Sequence, residues 1–153
     1  MKIEDEIKQK TFRSIYQKAV VNLIYTSNWL LGNQQKYFSL FGITGQQFNI
    51  LSILRGQHPA GLSATAIKSR MLDRNSDVSR LLGRLVKKDL VLKKTCQSDK
   101  RATDVFISEK GLRLLEEIGK DRQRIDNALS LTESEAELLS DLLDRARQEH
   151  KAS

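Results

Sequence analysis

The stretch Asn75-Ser76-Asp77-Val78-Ser79-Arg80-Leu81-Leu82-Gly83-Arg84-Leu85-Val86-Lys87-Lys88 decides the fold. Val78, Leu81, Leu82, Leu85 and Val86 recur at three- and four-residue steps, so the stretch predicts a helix with one apolar stripe. Ser76, Asp77, Ser79, Arg80, Arg84 and Lys87 fall on its other face. Short polar side chains allow close approach to a DNA major groove, and arginine can bond guanine bidentately. Working outward, Val91–Thr95 and Thr103–Ile107 alternate as the strands of a half-buried ribbon. Its polar tip is Cys96-Gln97-Ser98-Asp99-Lys100-Arg101. Hairpin tips bearing arginine suit the minor groove, whose narrow walls focus negative potential. Asp99 fits two roles, aiming Arg101 through a bidentate bond or simply making the turn.

Charge points the same way. The chain carries 26 Lys and Arg against 19 Asp and Glu, a net +7. Between Lys68 and Arg101 there are 11 basic residues and 4 acids, so the whole excess lies in this one segment. A segregated excess implies a polyanion partner, whereas scattered lysines imply only solubility.

Upstream, Thr44 and Gln47 form a capping box, with Ile43 and Phe48 as the staple pair. The helix they open runs through Ile50, Leu51 and Leu54 and stops near Pro59, the only proline. Ser63 caps a second, short helix ending near Met71 or Leu72. Asp73 and Asn75 compete to cap the basic helix that follows. Helix, tight turn and helix, then a ribbon, make a winged helix-turn-helix.

Further upstream, a long helix is expected between Phe12 and Phe41. Gly32 is a candidate interruption and Gly42 a left-handed stop. Seven of the nine aromatics lie there, and the apolar surface is too wide for one side of a small core. Core packing, a second copy of the chain and an apolar ligand are the three ways to cover it. At the other end, Ser108 and the Thr132–Glu135 capping box start two amphipathic helices. The first carries Leu112, Leu115, Ile118, Ile125 and Leu129, interrupted by a solvated polar stretch at 120–124. The second carries Ala136, Leu139, Leu142, Leu143 and Ala146.

Ser76 to Leu85, then Lys87-Lys88-Asp89-Leu90-Val91, Asp99-Lys100-Arg101 and Ile107-Ser108-Glu109-Lys110-Gly111 resemble the MarR family of bacterial winged-helix transcription regulators. Two positions depart from its pattern: Gly83 stands where many relatives carry an acid, and Asp89 where glycine is usual. The resemblance implies a mainly α fold with a two-stranded β wing. It implies an obligate homodimer on a pseudo-palindromic operator, with the Ser76–Arg84 face in the major groove and Arg101 in the minor groove. The implied division is residues 1–42 and 109–153 for dimerisation and 43–108 for DNA binding. The expected DNA contacts are Ser76, Asp77, Ser79, Arg80, Arg84, Lys87, Asp99, Lys100 and Arg101. A ligand-responsive repressor is the expected form, with Tyr16, Tyr25, Trp29 and Phe48 as candidate effector contacts.

Other chemistry is thin. The two histidines, His58 and His150, have no second ligand at zinc spacing and no nucleophile nearby. No nucleotide-binding glycine pattern occurs, so neither an enzyme nor a cofactor is expected. The single cysteine fits a reducing compartment, and the polar start lacks a signal-peptide core, so a cytoplasmic protein without membrane segments is expected. Two rival readings stay open. One is a thiol-responsive regulator using Cys96, whose lysine neighbours would lower its pKa. The other is a winged-helix module that binds protein rather than DNA.

Overall fold

The computed structural model describes residues 1–95, 99 and 102–148, the side chain of Arg122 excepted. Cys96, Lys100, Arg101 and His150, all named above, lie outside the described residues. The elements are α1 (Ile3–Glu6), α2 (Ile15–Ser39), α3 (Gly45–Gln57), β1 (Leu62–Ser63), α4 (Ala64–Arg70), α5 (Val78–Lys87), β2 (Val91–Thr95), β3 (Thr103–Ile107), α6 (Glu109–Gly119), α7 (Arg122–Ile125) and α8 (Glu133–Ala146). They fall into two units, Met1–Asp121 and the segment from Arg122 onward.

Helix starts follow the capping residues. Thr44 accepts the Gln47 N–H at 3.1 Å, and Gln47 Oε1 accepts the Thr44 N–H at 3.0 Å. Ser63 accepts from Ala66, and Ser108 from Gly111, at 3.1 and 3.0 Å. Each such cap satisfies a donor the helix cannot, for about 1 kcal/mol.

α2 runs unbroken through Gly32, the candidate interruption. A glycine costs a helix only about 1 kcal/mol, which neighbouring turns offset. The helix stops before Gly42, which takes the left-handed conformation at φ 70°. Only its far end enters the core: Tyr37 and Phe38 are buried, and Phe38 stacks on Phe48 with ring centroids 4.4 Å apart. Nearer its start, Lys18 bonds Glu4 and Tyr25 donates to Glu6 at 2.6 Å, which holds α1 along one side. The Lys18 bond keeps the Glu4 carboxyl below its usual pKa, and the Glu6 bond raises that of Tyr25. Tyr16, Val20, Leu23, Ile24 and Leu31 share a different side and remain exposed.

The core of the first unit lies under α3, α5 and the sheet. Ile50, Leu51, Leu54, Ile67, Leu82, Leu85, Val91 and Val105 have at most 1% of their surface exposed. The sheet is antiparallel in the order β1-β3-β2, with Val91 opposite Ile107 and Leu62 opposite Val105. The third strand, β1, was not foreseen. At two residues it is too short to show alternation.

The Leu90–Gly111 corner locks the wing to α6. The Leu90 N–H returns to the Leu85 carbonyl and the Asp89 N–H to Val86, each at 3.0 Å, which is a Schellman ending. Asp89 holds φ 58° there, which explains why glycine suits this position. The Ser108 N–H donates to the Leu90 carbonyl at 3.1 Å, and its hydroxyl donates to the Asp89 carbonyl at 2.6 Å. Gly111 fits against this corner because a Cβ would lie 2.4 Å from the Leu90 carbonyl oxygen.

The expected solvated helix across 120–124 is instead a break: α6 ends at Gly119 and α7 is a single turn. In the second unit, Thr132 and Glu135 complete their capping box, while α8 carries no buried residue. No helix among the described residues is long and apolar enough to cross a membrane.

Candidate nucleic-acid interface

The outward face of α5 is built by its own periodicity. Val78, Leu81, Leu82 and Leu85 are buried, which turns Ser79, Arg80, Arg84 and Lys87 to solvent. Arg80, Arg84 and Lys87 stand in one row at steps of four and three residues. Gly83 lies within this face, and a Cβ on it would meet nothing within 4 Å. The row therefore combines three cations with a low point where helix backbone can come close to another surface.

Two expected members of the face are placed differently. The helix begins at Val78, not Asn75, and its N-cap is Asp77, whose carboxylate accepts the Arg80 N–H at 3.1 Å. Asp73, an expected cap, is used in the preceding turn, where Oδ1 accepts the Asn75 N–H at 2.9 Å. Ser76 is 2% exposed and donates its hydroxyl to the Asp73 carbonyl at 2.8 Å, so it faces inward rather than toward a groove. Asp77 stays exposed, but as a cap and not on the helical face.

α4 and the start of α5 enclose an open cleft of about 400 Å³, lined by Ala64, Thr65, Lys68 and residues 75–79. Thr65 and Lys68 belong to this surface. The sequence signal for them was only the inclusion of Lys68 in the basic segment. In the wing, Lys93 and Lys94 are exposed, and the Lys94 ammonium sits 5.2 Å from the centre of the Phe106 ring. Of the expected tip contacts only Asp99 is described; its carbonyl accepts the Ala102 N–H at 3.0 Å.

The four aromatics proposed for an effector do not come together within one chain. Tyr16 is exposed in the first turn of α2, whereas Phe48 stacks on Phe38 near its end. Twenty-two residues of helix, roughly 33 Å, separate Tyr16 from Phe38. Tyr25 is engaged with Glu6, and Trp29 is half exposed. An open cleft of about 390 Å³ lies instead between Gly42–Thr44 and the last turn of α5, with Arg84, Lys87 and Lys88 on its rim. No group of three or more His, Cys, Asp or Glu among the described residues is arranged to hold a metal ion.

A sequence profile of the MarR family matches residues 41–102, the span from the start of the helix-turn-helix to the wing tip. The HTH-type transcriptional regulator MhqR of Bacillus subtilis is 28% identical over 115 residues, covering 74% of this chain and 78% of the relative. Over residues 41–102 the chain is thus similar to the MarR family. The HTH-type transcriptional regulator MgrA of Staphylococcus aureus is 25% identical over 146 residues, 95% of this chain and 92% of that one. Among solved structures, a MarR transcription factor from Planctomyces limnophilus superposes with a TM-score of 0.68 at 29% identity, over 89% of this chain and 98% of its own. A mutant MarR from E. coli complexed with operator DNA gives 0.71 at 25% identity, over 83% and 92%. These likenesses cover 89% and 83% of this chain, so the shared architecture is mainly helical with a small antiparallel sheet.

Proposed function

We propose that this chain is a MarR-family, sequence-specific, DNA-binding transcriptional regulator that acts in the cytoplasm as a homodimer on a pseudo-palindromic operator. The observation that carries the reading is the outward row Arg80, Arg84 and Lys87, on a helix capped by Asp77 and anchored by its buried stripe. Ser79, Arg80 and Arg84 are assigned to base edges and nearby phosphates in the major groove. Lys68, Lys87, Lys93 and Lys94 are assigned to phosphates. Asp99, Lys100 and Arg101 remain the proposed wing-tip contacts in the minor groove. The operator-bound E. coli MarR, whose fold this chain shares, supports a duplex as the partner.

The dimer reading rests on the uncovered side of α2. Burying an aliphatic or aromatic side chain is worth about 1.5–3 kcal/mol. Tyr16, Val20, Leu23, Ile24 and Leu31, about half to three-quarters exposed, would thus contribute roughly 10–20 kcal/mol from two copies, against an association cost of about 4–15. Residues 1–42 and 109–153 are accordingly assigned to dimerisation, and 43–108 to DNA binding. An effector, where one binds, would act by favouring a dimer whose two reading helices no longer match successive grooves about 34 Å apart.

Selection of bound sites from random duplexes tests the reading. Enrichment of a two-fold symmetric sequence with half-sites about one helical turn apart is expected. No enrichment after repeated rounds, with a folded protein, would refute it.

A further inference from the structure

Gln46 and Asn49 lie three residues apart on one face of α3, and both reach the connection between α4 and α5. Gln46 Nε2 donates to Asp73 Oδ2 at 3.1 Å and to Ser76 Oγ at 3.3 Å. Asn49 Oδ1 accepts the Leu72 N–H at 2.9 Å. Within the connection, Asp73 holds the Asn75 N–H, and the Ser76 N–H and hydroxyl both return to the Asp73 carbonyl at 3.2 and 2.8 Å. Asp77 then caps α5. The path from Gln46 to the first turn of the reading helix is therefore a chain of hydrogen bonds, Gln46 to Asp73 and Ser76, with Asp77 next in sequence. None of these bonds belongs to the apolar core, and Gln46, Asp73 and Asn75 are exposed.

We propose that Gln46, together with Asn49, is a positioning residue for base readout, holding the start of α5 at the angle that sets which bases the Arg80 row meets. This rests on the DNA-binding reading above. The buried stripe of α5 fixes which side faces the core, but a short helix held only by apolar contacts can still rock about that stripe. A bidentate arginine–base contact tolerates displacements of only about 0.5 Å or 10–20°. Long lysines on phosphates tolerate much more, because the backbone charge is continuous. Loss of the clamp should therefore erode discrimination between sequences and leave general attraction to DNA in place. A direct Gln46–phosphate contact would do the opposite and weaken binding to every duplex alike.

The test compares the selected duplex with a scrambled duplex of equal length and composition, at one salt concentration. Dissociation constants are measured for the parent, Gln46→Met, Asn49→Ala, Asp73→Asn and the Gln46→Met/Asp73→Asn pair. Gln46→Met keeps the length of the side chain and removes the donor. The preference for the selected duplex is expected to fall about tenfold, the scale of one charge-assisted hydrogen bond. The constant for the scrambled duplex should stay within about twofold. The paired variant should lose little more than Gln46→Met alone, since Asp73 has by then already lost that partner. Equal losses on both duplexes, or an unchanged preference, would overturn the inference. If circular dichroism shows Gln46→Met unfolded, Asp73→Asn decides by the same ratio. A parent protein with no preference sinks the DNA reading and this inference together, while a preference retained by every variant sinks this inference alone.

Discussion

Tyr37 donates its phenolic hydroxyl to the Ile118 carbonyl at 2.8 Å, buried from water, and so ties the end of α2 to the end of α6 across 81 positions of sequence. The bond satisfies a carbonyl in the last turn of α6, where no further helical N–H is available. Tyr37→Phe keeps the ring, which packs edge-on against Phe41 at 5.2 Å between centroids, and removes only the donor. A loss of about 1–2 kcal/mol is expected, read as a lower urea midpoint at unchanged slope. An unchanged midpoint would mean that the Ile118 carbonyl reaches another donor.

Two glycines predict opposite outcomes. Gly83 is in mid-helix with open space around a built Cβ, so Gly83→Ala should stabilise the fold by about 1 kcal/mol and raise the melting temperature by a few degrees. At Gly111 the same methyl would lie 2.4 Å from the Leu90 carbonyl oxygen and 2.8 Å from Ile107 Cγ1. Gly111→Ala should cost about 1–3 kcal/mol through forced displacement of the wing–α6 corner. Thermal melts of the two variants beside the parent check both signs at once.

A charge placed on the uncovered side of α2 should break the dimer and spare the subunit. Ile24 is 57% exposed in the single chain, so Ile24→Glu has no core packing to disrupt. Sedimentation equilibrium should move from twice the chain mass to one, with the helical circular dichroism signal largely kept. Retention of the dimer would place the interface elsewhere.

On DNA, Arg80→Ala should weaken binding to the selected duplex roughly tenfold or more, the value of one good bidentate contact, and relax the preference at one base pair. Lys87→Ala should weaken all duplexes about equally and lower the salt slope by about one. Titrations at several salt concentrations separate the two. If Arg80→Ala behaved like Lys87→Ala, the arginine would be a phosphate contact and the assigned reading face would be wrong.

Acid should loosen the N-terminal turn. The Glu4 carboxyl, bonded to Lys18, has a pKa below its ordinary 4.5 in the folded chain. A lowered folded pKa means that its stabilisation is complete well above the ordinary value and is lost as pH falls through the folded one. Protection of the Ile7 amide, which closes α1 on Ile3, should therefore drop on acidification, and Glu4→Gln should remove that drop. Equal pH dependence in the parent and Glu4→Gln would assign the effect to another group.

Local features of this chain were legible without a structure. The capping boxes at Thr44–Gln47 and Thr132–Glu135, the Ser63 and Ser108 caps, the Gly42 stop and both wing strands occur at the residues expected. Each depends on partners within a few positions, so composition and spacing suffice. α5 starts later than the Asn75 expected from sequence, because Asp77, which reads there as a helix-face residue, is the cap in place of Asp73 or Asn75. That placement follows from Asp73, which is already used in its own turn, and from Gln46 at the other end of the helix-turn-helix, which bonds Asp73 and Ser76.

What the sequence alone determined was the order of the long helices and the two wing strands, the side of α5 that is apolar, the concentration of positive charge between Lys68 and Arg101, and the excess apolar surface of α2. Periodicity and charge are one-dimensional properties, and they survive without coordinates. Only the tertiary structure decided that Ser76 turns inward, that Leu62 and Ser63 add a third strand to Val105 and Asp104, and that Tyr16 and Phe48 are a helix-length apart. Those outcomes depend on contacts between residues tens of positions apart. No local preference can choose such partners, because the free energy that selects them appears only when the distant surfaces meet.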